Sequence, residues 1–268
     1  MPHISIIISF YERLSHLRCC LDSLVFSEGD FSEVIIADDG SSPATVEQLR
    51  EHLKKYRYPI RHIWQPKDGF RLAASRNNGI RAAQGDYLIF LDCDFAVVPS
   101  AIARHARAAK PGRYVAGLCK YLPQTETEHF MQAEITPELL TTHYHNLPEH
   151  PIRREHFKFN KYAFLRALRL VGPHKPQCSS HFSICKQDLE FVNGYDENFV
   201  GWGGEDEDLS VRLNMAGFSG HSLITTAKVL HLWHRHELKT ADWREGANVS
   251  YLKRKQIHYR CANGLVRP

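Results

Sequence analysis

The chain has 268 residues, of which 43% are hydrophobic and 24% charged, a balance typical of a globular fold and not of a disordered chain. A net charge of +4, with a basic tail that has no aromatic–basic stripe, gives weak support for nucleic-acid binding. No apolar run approaches the roughly 18 residues of a membrane-spanning helix. Seven cysteines without a CxxC pair indicate neither a zinc cluster nor a disulfide framework, and they predict a reducing, cytoplasmic location.

Strand and helix patterns alternate from the start of the chain. The opening MPHISIIISFYERL lacks the basic region and cleavage site of a signal peptide, so we interpret it as a buried strand. Apolar runs predict strands at 3–10, 32–42, 60–64 and 86–94, and the segments between them predict helices at 15–26, 43–56 and 71–85. This order is typical of an α/β fold whose mostly parallel sheet has helices on both faces. Right-handed crossovers then bring the strand ends to one edge, where such sheets bind ligands.

The second half of the chain is less regular. Residues 121–178 are rich in Pro, His, Glu and Arg, and we expect an insertion there with one or two helices, one of them near 161–171. Ordered structure returns at 179–199. Apolar spacing predicts a short helix at 208–218 that ends at Gly217.

Two pairs of aspartates follow predicted strands, Asp38–Asp39 in ADDGS and Asp92–Asp94 in LDCDF. Acids are common in turns, and Asp-Gly-Ser is ordinary turn chemistry. An Asp-x-Asp at a strand end also brings two carboxylates within reach of one divalent cation, and such ligands favour Mg²⁺ or Mn²⁺. The residues alone leave both interpretations open.

Basic and imidazole side chains offer further partners for a phosphorylated ligand and a metal. Arg71 and Arg76 lie on the helix predicted before the Asp-x-Asp strand, where they either neutralise a diphosphate or face solvent. HLWHRHE contains His231, His234 and His236. A single histidine is more often structural, but several in one short segment favour a ligand of an ion such as Mn²⁺.

The segment GWGGEDED, residues 201–208, sets Trp202 among glycines directly before four acids. Neighbouring carboxylates raise one another's pKa, which suits a general base that works near neutral pH. Acids also interact favourably with a helix N-terminus, and this accounts for Glu207 and Asp208. It does not account for the tryptophan, which we interpret as a ring placed for contact with a sugar.

Four segments, in this order, resemble a family 2 glycosyltransferase with the GT-A fold: SIIISFYER, EVIIADDGSS, GFRLAASRNNGIRAAQGDYLIFLDCD and NGYDENFVGWGGEDEDLSVRLNMAG. The last is similar to the C-terminal galactosyltransferase-type motif of β-1,4-galactosyltransferases, polypeptide N-acetylgalactosaminyltransferases and bacterial chondroitin polymerases. The resemblance covers residues 3–99 and about 178–236. The sequence departs from the family pattern at CSSHFSICK, residues 178–186, a strand that the resemblance places near the donor sugar.

The resemblance implies a role for each matching residue. On the donor side it implies a nucleoside pocket lined by Ser9, Tyr11 and Glu12, a uracil or ribose contact from Asp39 with Asp38, and Arg71 and Arg76 near the phosphates. It implies donor contacts from Asp92 and Cys93, and a metal site of Asp94 with His231 or His234, holding Mn²⁺ or Mg²⁺. On the acceptor side it implies that Trp202, Gly203 and Gly204 shape the junction with the donor, that Glu205 binds the acceptor and that Asp206 is the catalytic base.

The implied reaction is a metal-dependent, inverting transfer of a hexose or N-acetylhexosamine from a UDP-sugar. Asp206 deprotonates an acceptor hydroxyl, which attacks the anomeric carbon opposite the UDP group, while the metal stabilises the leaving diphosphate. The expected acceptor is a saccharide, free or lipid-linked, in bacterial surface polysaccharide or glycoconjugate synthesis. The alternatives are a nucleotide-sugar or carbohydrate-binding module that has lost catalysis, which has no need for both acidic motifs, and a nucleotidyl enzyme, which should carry a Gly-rich phosphate loop.

We expect one domain over residues 1–238, made of a nucleotide-sugar-binding half (1–99), a variable insertion (100–177) and an acceptor-binding, catalytic half (178–238). A basic helical tail follows at 239–268, with Trp243, Val249, Leu252 and Ile257 among its lysines and arginines. This pattern predicts either peripheral contact with the inner face of an anionic membrane or a helix packed against the domain.

Overall fold

The computed structural model describes residues 2–27, 29–179, 181–235, 246 and 248–267. Its strands are β1 (Ile4–Phe10), β2 (Glu33–Asp38), β3 (Ile60–Trp64), β4 (Tyr87–Asp92), β5 (Phe95–Val97), β6 (Arg113–Ala116), β7 (Leu118–Tyr121), β8 (Phe182–Cys185), β9 (Ser219–Ser222) and β10 (Lys228–His231). Its helices are α1 (Leu14–Leu24), α2 (Pro43–Leu53), α3 (Leu72–Ala82), α4 (Ala101–Ala108), α5 (Gln124–Gln132), α6 (Pro137–Asn146), α7 (His150–Ala167), α8 (Lys186–Phe191), α9 (Glu205–Met215) and α10 (Asn248–Leu252).

The larger sheet has seven strands in the order β3-β2-β1-β4-β8-β6-β9. Strand β8 runs antiparallel to both of its neighbours, and the other pairs are parallel. The predicted α/β fold with a mostly parallel sheet is therefore confirmed. In the register of β1 with its neighbours, Ser9 lies opposite Ala37 of β2 and Asp92 of β4. The acids that follow these strands consequently reach the same sheet edge.

Both faces of the larger sheet are covered, which explains why its central strands are continuously apolar. Every residue of β1 and β2 is buried, as it is in β4 up to Leu91. Strands that alternated with polar residues would face solvent on one side, whereas these pack between two layers. Helix α1 packs in the apolar core on one side, and α3, α7 and α9 contribute to the core on the other.

A second, three-stranded sheet has the order β5-β10-β7 and positions part of the site. Strand β10 is antiparallel to β5, with His231 opposite Phe95. The residue before β5 is Asp94, so this pairing brings the end of β10 directly against the Asp-x-Asp segment.

The insertion contains more helix than we expected. Within residues 121–178, where we expected one or two helices, α5, α6 and α7 occupy most of residues 124–167, and α7 begins at His150 rather than near residue 161. The positions of two prolines explain the difference. Pro137 and Pro151 lie in the first turns of α6 and α7, where the missing amide hydrogen has no helical partner.

Two further boundaries differ from the prediction. Helix α9 begins at Glu205 and not at Asp208, so all four acids lie in its first turn. Arg71 is not helical, because α3 starts one residue later at Leu72.

The described part of the tail is helical only at Asn248–Leu252. Residues 261–265 lie on the segment after α8, where the Leu265 amide donates to the Asn193 carbonyl at 2.9 Å and the Glu197 amide to the Asn263 carbonyl at 2.8 Å. Trp243 lies outside the described residues. No helix in the described ranges is long and apolar enough to cross a bilayer.

Candidate active site

A single buried arginine joins the acids at the sheet edge. Arg76, on α3, is 1% exposed, and its Nη1 lies 3.0 Å from Asp206 Oδ1 and 3.4 Å from Glu205 Oε1. Its Nη2 donates to Asp92 Oδ1 at 3.2 Å and its Nε to Ser9 Oγ at 3.1 Å. The Arg76 guanidinium therefore contacts the Asp-x-Asp strand, the end of β1 and the start of α9.

The electrostatics of this cluster raise the pKa of the two α9 acids. Burial, with the nearby charge of Asp206, raises the pKa of Glu205 to about 7 although Arg76 opposes the shift. Burial also raises the pKa of Asp206, again against the opposing charge of Arg76. The pair thus titrates closer to neutral pH than ordinary carboxylates do, as a general base requires.

The two acids differ in access. The Asp206 side chain is 25% exposed, and the Glu205 side chain is 8% exposed. Glu205 Oε2 is buried without a hydrogen-bond partner among the described residues. An unpartnered buried carboxylate oxygen is costly in its charged form, because the water it loses on burial is not replaced by another donor.

A second acidic centre lies at Asp94. Its Oδ2 is 3.1 Å from His234 Nε2, and its Oδ1 is 3.7 Å from His231 Nε2. One ligand atom from each of these three residues lies within 4.8 Å of the other two. Burial lowers the pKa of His231, which favours the neutral imidazole that binds metals. Arg13 approaches the same carboxylate at 3.7 Å.

The donor atoms of this centre fit a divalent ion. Asp94 Oδ1 and His231 Nδ1 are buried and make no hydrogen bond within the described ranges. One carboxylate with two imidazoles suits an ion such as Mn²⁺. Asp92 does not belong to this group, since it pairs with Arg76, and His236 lies outside the described residues.

The two aspartates after β2 are held by the chain itself. Asp38 is fully buried and accepts hydrogen bonds from the Ser41 amide at 2.9 Å and the Ser41 hydroxyl at 2.7 Å, with His62 Nε2 at 2.8 Å. Asp39 accepts from Gln65 Nε2 at 2.7 Å and from the Arg71 amide at 2.8 Å. Each carboxylate oxygen of Asp39 can accept a second bond, so a ligand donor could still be bound there.

The residues after β1 stabilise the same turn. Glu12 has a left-handed backbone, with φ of 57°, and its amide donates to Ser41 Oγ at 3.0 Å. Its carboxylate accepts from the Ser42 amide at 2.6 Å. Tyr11 lies under Lys67, whose Nζ is 3.4 Å from the ring centroid. Tyr11 and Glu12, with the residues they contact, form a surface at the end of β1 that we call the wall after β1.

Two residues predicted on the donor side have side chains that are engaged by other parts of the chain. The Arg71 guanidinium pairs with the exposed Asp68 at 2.8 Å, apart from the Arg76 cluster. The Cys93 side chain is buried in the apolar core, which raises the pKa of its thiol. A donor contact from Cys93 would therefore involve its backbone, because the sulfur is inside the core.

The GWGG segment depends on glycine backbone geometry. Gly203 and Gly204 have backbone φ angles of 86° and 95°, which residues with a Cβ rarely adopt. The segment is held by Asn248 of α10, whose Nδ2 donates to the Gly203 carbonyl at 2.9 Å. The Trp202 ring is half-buried beside these glycines.

We expect Gly204→Ala to lower the free energy of unfolding by about 1–3 kcal/mol, since the left-handed backbone is strained with a Cβ. The new atom would also lie 2.9 Å from the Phe199 ring. Urea unfolding measures the change. Gly172→Ala is the matched control, because a Cβ there meets nothing within 4 Å. Equal loss in both variants would contradict the account.

Asp208 does more than start a helix, contrary to our prediction. It is fully buried and pairs with Arg212 at 2.6 Å and with Arg254 at 2.6 Å. Since Arg254 follows α10, this buried pair connects the tail to the helix that carries Glu205 and Asp206.

Sequence reasoning missed three residues of the site. The Tyr195 hydroxyl lies 3.4 Å from Asp206 Oδ1, and its ring is 5.2 Å from the Arg76 guanidinium carbon. Arg13 and Asn248 are the other two. Tyr195 stands in NGYDENF, which the family resemblance included, but no spacing pattern distinguishes it from an ordinary core tyrosine. Asn248 lies far along the chain in the tail, and only the fold brings it to Gly203.

Comparison with known proteins identifies the family of the chain. Residues 5–190 match the model of "Glycosyl transferase family 2", which is more than half of the chain. The chain belongs to glycosyl transferase family 2. It is therefore a transferase enzyme, and residues 163–235 also match the "N-terminal domain of galactosyltransferase".

Relatives of this family 2 glycosyltransferase include Validoxylamine A glucosyltransferase of Streptomyces hygroscopicus subsp. jinggangensis, 32% identical over 81% of this chain and 52% of that protein. Chondroitin synthase of Escherichia coli is 30% identical over 80% of this chain and 32% of the synthase. The chain thus spans about half of the length of the first relative and about a third of the length of the second. The crystal structure of GalNAc-T7 with UDP, GalNAc and Mn²⁺ superposes with a TM-score of 0.61, at 17% identity over 87% of this chain and 44% of that one. At that identity the match shows the GT-A fold.

Proposed function

We propose that this glycosyltransferase moves a hexose or N-acetylhexosamine from a UDP-sugar to a saccharide hydroxyl, with inversion at the anomeric carbon. The observation that carries the proposal is the Arg76 cluster, which joins Asp206 and Glu205 to the Asp-x-Asp strand. The Asp94 centre lies at the end of that strand. A base for the acceptor and a cation site for the departing diphosphate are the two functions that sugar transfer requires.

Asp206 acts as the base in this proposal, and Glu205 binds the acceptor. The greater exposure of the Asp206 carboxylate favours proton transfer with a bound hydroxyl. The unpartnered Glu205 Oε2 is suited to accept a hydrogen bond from another hydroxyl of the same acceptor. Trp202, between its glycines, offers a face on which a sugar can stack.

The donor side consists of the wall after β1 and the turn after β2. Asp39 retains hydrogen-bonding capacity for uracil or ribose, and Tyr11, Glu12 and Ser9 lie at the adjoining strand end. Asp94, His231 and His234 would hold a divalent ion, which when bound neutralises charge on the leaving diphosphate. The relation to an enzyme crystallised with UDP, GalNAc and Mn²⁺ supports both the nucleotide and the metal.

Donor hydrolysis tests the stereochemistry without knowledge of the acceptor. Incubated with an α-linked UDP-sugar and Mn²⁺, the enzyme should release sugar that is initially the β-anomer, as read from anomeric proton NMR signals. Water then replaces the acceptor hydroxyl at Asp206. Initial release of the α-anomer would contradict a single displacement, and binding without any turnover would favour the inactive binding module.

We expect His234→Ala to weaken Mn²⁺ binding by at least about tenfold, because the site loses one of its three ligands. Titration of the protein with Mn²⁺, followed by electron paramagnetic resonance of the free ion, measures the affinity. His174→Ala removes an exposed histidine from outside the site and should leave the affinity unchanged. Unchanged binding by His234→Ala would place the metal elsewhere.

A further inference from the structure

The outer side of α7 carries an exposed apolar stripe. Phe157, Phe164 and Leu168 are 72%, 65% and 53% exposed, and their spacing of seven and four residues places them on one side of the helix. Leu170, just beyond the helix, is 68% exposed. Large apolar side chains scattered singly over a surface are ordinary, but several on one side of a helix indicate an interaction surface.

Basic residues surround this stripe. The exposed positions on the outer side of the helix are His150, Arg153, Arg154, Phe157, Asn160, Lys161, Phe164 and Leu168, and none of them is acidic. Arg169 adds a further exposed cation at the end of the helix. Two acids at its border, Glu149 and Glu155, pair with Arg153 at 3.8 Å and with Arg154 at 3.5 Å, and also with Lys120 and Lys158. Lys161 and Arg169 are exposed as well, so the face keeps a net positive charge.

The opposite side of α7 fixes the helix to the domain. Ile152 and Phe159 are 2% and 6% exposed and belong to the core beneath the larger sheet. Arg166 donates to the Asn214 carbonyl at the end of α9 at 2.9 Å. The stripe is therefore held on a rigid helix and cannot be buried by rotation of the helix.

We infer that the outer face of α7 docks on an anionic lipid surface. A helix with aromatic and leucine side chains on one face and flanking lysines and arginines lies in the plane of a membrane interface. The rings and Leu168 would enter the boundary of headgroups and acyl chains, while the basic side chains meet lipid phosphates. A second copy of the chain fits the same face poorly, because a two-fold contact would set its cations against each other.

Docking in this way would place the lipid next to the catalytic half. Residues Glu155, Phe159 and Tyr162 of α7 line a cavity of about 120 Å³ together with residues 175–177 and 179. Cys178 lies in the chain between two of these lining residues, and its sulfur is 3.9 Å from the Asp206 carbonyl oxygen. A helix is about 10–12 Å thick, so α7 would be the layer between the lipid and this cavity. The inference stands on the surface alone and does not depend on the proposed reaction.

The face on α7 differs from the membrane contact that the sequence predicts for the tail. Of the tail residues in that prediction, Leu252 and Ile257 are half-buried, whereas the α7 stripe is exposed. Lys253 and Lys255 are the exposed lysines of the described tail segment. Charge-neutralising variants at the two places therefore separate the two sources of binding.

Co-sedimentation of the full chain with vesicles tests the inference. Vesicles of phosphatidylcholine with phosphatidylglycerol are compared with vesicles of phosphatidylcholine alone. We expect binding only to the anionic vesicles, and a loss of at least about tenfold in partitioning for F157S/F164S/L168S and for R153Q/R154Q/K161Q. K253Q/K255Q and V266S, which alter exposed side chains outside α7, should bind like the wild type.

Each other outcome overturns the assignment. Circular dichroism and thermal unfolding establish that the variants are folded before binding is compared. Equal sedimentation of the wild type with both kinds of vesicle, or with neither, contradicts an anionic lipid surface. Retained binding by the α7 variants, with loss in K253Q/K255Q, assigns the contact to the tail. A dimer in lipid-free solution that F157S/F164S/L168S converts to monomers assigns the face to contact between copies.

Discussion

Asp206→Asn should lower the rate of sugar transfer by about 10²- to 10⁴-fold, the usual contribution of a general base. The amide keeps the shape of the side chain but cannot accept the proton of an acceptor hydroxyl. Binding of the UDP-sugar should change little, because the proposed donor contacts involve other residues. Turnover of the donor, together with its dissociation constant from calorimetry, measures the two effects separately.

Two neighbouring variants sharpen this prediction. Glu207→Gln removes a half-exposed acid from the same helical turn and should leave the rate unchanged. Glu205→Gln should raise the KM for the acceptor more than it lowers kcat, since its role is to bind the acceptor. A full rate in Asp206→Asn with a large loss of kcat in Glu205→Gln would exchange the two roles.

Arg76→Gln is expected to lower the free energy of unfolding by about 3–5 kcal/mol, the usual cost of removing one partner from a buried ion pair. Without the guanidinium, Asp92, Glu205 and Asp206 would be left close together with no cation. Urea unfolding at several pH values measures the loss. Arg104→Gln is the control, because this exposed arginine lies on α4, away from the cluster.

The loss in Arg76→Gln should depend on pH in a known direction. Burial already raises the pKa of Glu205 and of Asp206 in the folded protein, and loss of the opposing Arg76 charge raises both further above their values in the unfolded chain. Stability is then retained at low pH, where the acids are protonated, and is lost as pH rises above the ordinary carboxylate range. For the same reason the acidic limb of the activity profile should move to higher pH. A loss that grows as pH falls would contradict this electrostatic account.

Local patterns predicted the first half of the fold correctly. Strands β1, β2, β3 and β4 and helices α1, α2 and α3 lie where the alternation of apolar runs and amphipathic segments placed them. These strands are buried on both faces, so their whole sequence is apolar and easily recognised. The order of the motifs also predicted the family.

The remainder depends on contacts that no local pattern contains. In a sequence, Pro137 and Pro151 can indicate either a loop or the first turn of a helix, and in the structure both lie in first turns. The local sequence does not distinguish the two cases. Asp208 pairs with an arginine far along the chain, and Arg76 pairs with acids from two different elements. Such ion pairs follow from the topology, so they become visible only when the fold is known.

In the proposed function the acid cluster and the Asp94 centre serve one reaction on a UDP-sugar. Release of UDP from a panel of UDP-sugars, with Mn²⁺ or with a chelator, tests this. We expect that at least one UDP-sugar is turned over, that the chelator stops the reaction, and that Asp206→Asn and Asp94→Asn each lower the rate by at least about 10²-fold. Turnover of no UDP-sugar, or turnover that persists with the chelator, would contradict it.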